Sequence, residues 1–146
     1  MINELIDGIA VKLNQVFGSG YKIYKENVKQ GLTEPCFIIV ALEPTQEAKL
    51  PNRYFRSYPM DIHYFPLDRN NTKAECYDVA EKLMVELEYI TANHNGIDNL
   101  HRGIRMRYEL VDNVLHFFVN YEFFIKKTMD EVEHMESLER KLNVEE

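Results

Sequence analysis

The chain has 146 residues, 45% of them hydrophobic and 28% charged, which describes an ordinary globular protein and excludes a disordered one. Its formal net charge of −7 excludes the basic footprint of a tight nucleic-acid binder, and no apolar run approaches a membrane span. This length suits one domain that buries about two-thirds of its unfolded surface.

The first element is a helix. Ile2, Leu5, Ile6, Ile9, Leu13, Val16 and Phe17 recur at three and four, forming one apolar stripe, and Gly18 and Gly20 stop it. Gly8 inside it costs about 1 kcal/mol relative to Ala, so burial must hold the helix. The acids within MINELIDGIAVKLNQVF do not suit a secretory signal. Strands follow. Tyr21 to Glu26 alternates loosely, Val28 to Glu34 includes a turn at Gly31, and Cys36 to Leu42 is a continuous apolar run. Glu43 to Asn52 (EPTQEAKLPN) has two prolines and no period, and is expected to be an exposed, mobile loop. Asn52 to Pro66 (NRYFRSYPMDIHYFP) is expected to be a long strand. Pro59 within it cannot donate a ladder hydrogen bond, so the strand should be at an edge, bulged or kinked there.

A second helix is expected from Thr72. Thr72 and Glu75 have capping-box spacing, and Cys76, Val79, Ala80, Leu83, Met84, Leu87 and Ile90 form its apolar face, with Asn95-Gly96 as its stop. A two-residue turn at Asp112-Asn113 then closes a hairpin. It sets Val111 opposite Val114, Leu110 opposite Leu115, Tyr108 opposite Phe117, Met106 opposite Val119 and Ile104 opposite Tyr121. The alternate pairs are Glu109 with His116, Arg107 with Phe118 and Arg105 with Asn120.

Residues 129–146 hold seven acids against Arg140 and Lys141, a net of −5, leaving −2 for the first 128 residues. Thr128 and Glu131 repeat the capping-box spacing, and an acidic C-terminal helix with a narrow apolar stripe is expected. The fold class is therefore α+β: a two-layer α-β-β-β-α-β-β domain over 1–128, with a five-stranded sheet packed on two helices, followed by the acidic tail 129–146.

Cys36 and Cys76 fit neither a CxxC nor a disulfide framework and are expected as buried thiols of a reducing compartment. Asp61, His63 and Phe65 share a strand face and are expected to join Arg105, Arg107, Glu109, His116, Asn120 and Glu122 on the open side of the sheet, where the acid–His pair with the arginines offers an acid–base site or an oxyanion clamp. The competing reading is a polar sheet face with cross-strand ion pairs, and it is preferred because no nucleophile, glycine-rich loop or pocket signature accompanies them. The five histidines include no HxH or HxxxH pair, so neither a metal nor a cofactor is expected. Arg53, Arg56, Arg102, Arg105 and Arg107 with interleaved aromatics suit nucleic acid, but the acidic total and the lack of a module motif oppose it. The same residue types are enriched at protein–protein interfaces.

The opening segment MINELIDGIAVKLNQVFGSGYKIYKENVKQGLTEPCFII, the central NRYFRSYPMDIHYFP and the final aromatic hairpin together resemble a family of phage tail terminators. These are tail completion proteins of contractile-tailed phages and defective prophages of Gram-positive bacteria. The resemblance covers essentially the whole chain and implies a structural protein, not an enzyme. It implies a ring, typically a hexamer, on the last ring of the tail tube, which ends polymerisation and presents a surface to the head–tail connector protein. The implied partners are further copies of the chain, the tail tube protein and the connector. DNA only passes through the lumen, where an acidic wall does not trap a polyanion, and no membrane is involved. The implied location is the virion tail, and the host cytoplasm during assembly. The alternatives are a head-completion or connector adaptor of the same particle and a small enzyme using Asp61 and His63.

The resemblance supplies no residue-level contacts. From the residues themselves, the expected subunit or tube contacts are Gln46 and Lys49 in the 43–52 segment, Arg53, Tyr54, Arg56 and Tyr58 in an arm preceding Pro59, and the open sheet face around Arg56, Asp61, Arg105 and Arg107 as the subunit seam.

Overall fold

Alternating burial along two long antiparallel strands sets the architecture. The structure is a computed structural model that describes residues 1–25 and 31–126. Its elements are α1 (Ile2–Phe17), β1 (Lys22–Tyr24), β2 (Cys36–Ala41), β3 (Thr45–Leu50), β4 (Arg53–Phe65), α2 (Thr72–Glu86), β5 (Tyr89–His94), β6 (Ile97–Val111) and β7 (Val114–Lys126). The sheet is seven-stranded, in the order β1-β2-β4-β7-β6-β5 with β3 also paired to β4; β1 runs parallel to β2 and the other pairs are antiparallel.

Tyr58, Met60, Ile62 and Tyr64 of β4 and Leu115, Phe117, Val119 and Tyr121 of β7 face the helices and are buried. They join Leu5, Ile9 and Leu13 of α1 and Cys76, Val79, Ala80 and Leu83 of α2 in one core. Each large apolar side chain so buried contributes roughly 1.5–3 kcal/mol. Helix α1 touches β1 and β2 at one end of the strand order and β5 at the other, so the sheet curls around it. Gly8 makes that approach possible: a Cβ there would lie 2.5 Å from the Thr91 carbonyl oxygen. Its cost in helix propensity is thus offset by close packing. Both cysteines are buried free thiols, with burial first among the causes that push each pKa up to about 11.

Several expectations are corrected. The sheet has seven strands and not five. The 43–52 segment is exposed as expected but forms β3, because Gln46, Glu47 and Ala48 pair with Arg56, Phe55 and Tyr54. Helix α2 ends at Glu86, and Ile90 belongs to β5, a separate strand. Asn95-Gly96 is the turn of the β5–β6 hairpin, with both residues at positive φ. Thr72 and Glu75 do not form a capping box. Asn71 occupies the N-cap without a side-chain bond, and the Glu75 carboxylate instead accepts the Tyr64 hydroxyl and the Leu67 and Asp68 amides. This clamp ties β4 to α2, and burial, then the Glu75 contact, raises the Tyr64 pKa.

The β6–β7 register holds from Val111–Val114 to Arg107–Phe118 and then shifts. Ile104 pairs with Asn120 and Gly103 with Tyr121, so the expected pairs Met106–Val119, Arg105–Asn120 and Ile104–Tyr121 are not formed. The cause is a bulge, with Arg105 at φ 54. The extra residue reverses the facing of everything before it. Gly103 is brought beneath Leu87, where a Cβ would lie 2.7 Å from the carbonyl oxygen, and His101 turns into the core side. The C-terminal helix expected from Thr128 onward lies outside the described residues.

Candidate assembly interface

The two sides of β4 are set by strand parity, and parity divides the expected contact residues. Gln46, Tyr54, Arg56 and Tyr58 lie on the helix side of the sheet, because Tyr54 and Arg56 alternate with buried Tyr58 and Met60 and because Gln46 pairs with Arg56. Arg53, Asp61 and Arg107 lie on the open side. Arg56 therefore does not share a face with Asp61, Arg105 and Arg107, as the sequence reading grouped it. Tyr58 is not an exposed arm residue either: it is 7% exposed and stacks on Phe123 at 5.7 Å.

On the helix side, Arg56 donates to Gln46 Oε1 at 2.5 Å and to the Tyr58 hydroxyl at 3.4 Å. Phe123 continues the row to His101, with ring centroids 4.6 Å apart. His101 is buried with its Nε2 unpartnered among the described residues, and burial holds its pKa below the ordinary value. The free edge of the arm belongs to β3, which is exposed at every residue and pairs with no strand but β4 among the described residues. Lys49 there forms an exposed ion pair with Glu47 at 2.8 Å. Leu50 and Phe124, both more than half exposed, give the arm end an apolar tip.

The open face has three patches along β4 and β7. Nearest the arm, Phe55 packs on Phe124 at 5.0 Å between ring centroids. Next, Ser57, Asn120 and Glu122 form a hydrogen-bonded cluster, in which Asn120 Nδ2 donates to Glu122 Oε2 at 2.8 Å and Arg105 pairs with the same oxygen at 2.5 Å. The bulge thus moves Arg105 out of the expected ladder and aims it along the open face. Beyond Pro59, Asp61 Oδ2 meets His63 Nε2 at 2.9 Å and His116 Nδ1 at 3.2 Å. Burial acts to raise the Asp61 pKa, but the hydrogen bonds and charges of the two imidazoles outweigh it and hold the group below its ordinary value. Beside them the Arg107 guanidinium lies 3.9 Å from the Phe118 ring centroid.

Pro59 is tolerated inside β4 for a local reason. Its carbonyl accepts the Leu42 amide, so its nitrogen also points to the side where β2 has ended and β3 has not begun. The ladder is already interrupted there.

The sequence reading named Asp61 and His63 together and placed His116 on their face; the β4–β7 register now sets His63 directly opposite His116. It missed Ser57 and the Phe55–Phe124 pair as contact-face residues. Ser57 shares the odd parity of Asp61 and His63, which is the signal that could have found it. Cavities of about 280, 350 and 260 Å³ open elsewhere, around Arg69, Gly8 and Asp78, and none of these three is lined by the Asp61 cluster. No helix among the described residues is long and apolar enough to cross a membrane.

Residues 4–133 match the family model described as phage tail terminator protein. The chain belongs to the phage tail terminator family. Comparison with curated proteins finds no match. Tail terminators are structural, virion-associated proteins of tail assembly, which fits a chain whose notable surfaces are an exposed edge strand and a sheet face with no helix packed on it among the described residues.

Proposed function

We propose that this tail terminator closes into a ring, a hexamer, on the last ring of the tail tube, ends tube polymerisation and presents the joining surface for the head connector. Membership of the family carries this reading. The arm supports it. An edge strand that pairs only with β4 among the described residues, with exposed Leu50 and Phe124 at the arm end, is a surface that gains by pairing with another chain. A head-to-tail contact of this kind closes into a ring when each subunit turns by a fixed angle. Gln46, Lys49, Arg53, Tyr54 and Arg56 then serve as arm contacts, while Asp61, Arg105 and Arg107 serve the sheet face toward a neighbour or the tube.

Sedimentation of the chain and electron microscopy of its mixture with purified tail tubes test the proposal. The expected result is rings at tube ends, lost in the double variant Leu50→Glu, Phe124→Glu. Bare tube ends with the wild-type chain, together with unchanged tail length when its gene is deleted, would overturn it.

A further inference from the structure

The Asp61 cluster has a chemistry beyond that of a contact surface. We propose that Asp61, His63 and His116 form a binding site for a divalent transition cation of the zinc class, within a single copy of the chain. The ligand atoms of the three residues all lie within 4.8 Å of one another. The two Asp61-to-imidazole distances, 2.9 and 3.2 Å, are close to the separation of about 3.3 Å between ligand atoms around a tetrahedral ion with bonds of about 2.0–2.1 Å. Two nitrogens and one carboxylate oxygen suit zinc, cobalt or nickel and disfavour magnesium and calcium, which take oxygen ligands.

A second observation points the same way. Asp61 Oδ1 is buried and has no hydrogen-bond partner among the described residues, although its neighbour Oδ2 has two. A buried acceptor left unpaired is costly, and a cation beside the carboxylate satisfies it. The imidazoles keep about a fifth of their side-chain surface exposed, 21% for His63 and 22% for His116, so an ion and a completing water reach the site from the open face. Without a cation, each hydrogen bond to ionised Oδ2 uses a ring N–H. With one, each imidazole turns its lone pair inward and keeps its proton on the other nitrogen.

The backbone makes the site rigid. Asp61 and His63 are two apart on β4, and His116 lies across the ladder on β7 in register with His63. A bound ion therefore cross-links the two strands that share the longest pairing in the sheet, and by linkage it stabilises the folded chain.

Titration of the full, tag-free chain with zinc chloride by calorimetry tests this, with cobalt(II) absorption in parallel. The expected result is one zinc per chain at low-micromolar Kd or tighter, unaffected by excess magnesium, with the visible bands of four-coordinate cobalt bound by nitrogen and oxygen. His63→Gln and His116→Gln each weaken binding at least tenfold. His94→Gln, which removes the imidazole beside Glu4 near the amino terminus, leaves it unchanged. Zinc raises the Tm of the wild type and not of His63→Gln. The proposal is overturned by no zinc binding at about 100 μM, by sulfur-to-cobalt charge-transfer bands that assign the ion to a cysteine, or by affinity that survives loss of both His63 and His116. The cobalt spectrum of the wild-type chain decides the matter even if a variant fails to fold.

Discussion

Neighbouring residues on β4 live in two different environments. On the covered side, Tyr64 gives its hydroxyl to Glu75, whose carboxylate also holds two loop amides, so the buried polar group is fully engaged. One residue away on the open side, His63 and Asp61 form a cluster that leaves a buried carboxylate oxygen without a partner among the described residues. At the Tyr64–Glu75 contact the covered face satisfies its polar groups within one chain, and they serve stability. Among the described residues the open face and the arm have no such covering layer, and on the proposed reading their polar groups serve assembly or a ligand. The same strand supplies both because successive side chains point to opposite sides.

The largest test of this contrast compares adjacent positions of β7. Phe117→Ala should cost about 3–5 kcal/mol, whereas half-buried Phe118→Ala should cost about 1 kcal/mol or less, read by urea unfolding. Equal losses would abolish the distinction between the faces. Next, Gly8→Ala should destabilise by about 1–3 kcal/mol in thermal unfolding, because the new methyl meets the Thr91 carbonyl, although alanine is the better helix former. A rise in Tm would show that α1 is free to move off β5.

A third pair contrasts the two carboxylates. Glu75→Gln should cost about 1–3 kcal/mol by weakening three bonds across the β4–α2 junction. Asp61→Asn should cost less, since the amide oxygen can still accept from the two imidazoles and a desolvated charge is removed, and chemical denaturation of both variants ranks them. The smallest expected effect is a pH slope. Burial holds the His101 imidazole below its ordinary value of 6.5, so between those two values the unfolded chain carries a proton that the folded chain does not. This contribution to stability is complete above about 6.5 and is lost as pH falls through the window beneath it. His101→Phe should remove that part of the slope in unfolding curves taken from pH 7.5 down to about 5.

Local pattern was enough for α1, for the covered and open residues of β4, and for the register next to Asp112-Asn113, because each depends on periodicity or on a turn within a few residues. It was not enough for β3 or β5. EPTQEAKLPN has no apolar alternation because β3 is exposed at every residue, and its strand conformation comes from pairing with β4. Tyr89 to His94 continued the apparent face of α2 through Ile90, and only the return of β6 beside it makes it a strand.

The candidate sites divide in the same way. Asp61 and His63 lie on one face by strand parity alone, which the sequence by itself determined. Their meeting with His116, fifty-three residues further along from His63, rests on the β4–β7 register, and no local signal carries a register between distant strands. The bulge at Arg105 is the sharpest case. One residue in a left-handed conformation sends Arg105 to Glu122 and turns His101 into the core, reversing a parity that sequence reading takes as unbroken. Sequence determined which residues can alternate. Tertiary structure decided where the alternation breaks, because a bulge is set by packing, here by Gly103 fitting beneath Leu87, and not by the residues that form it.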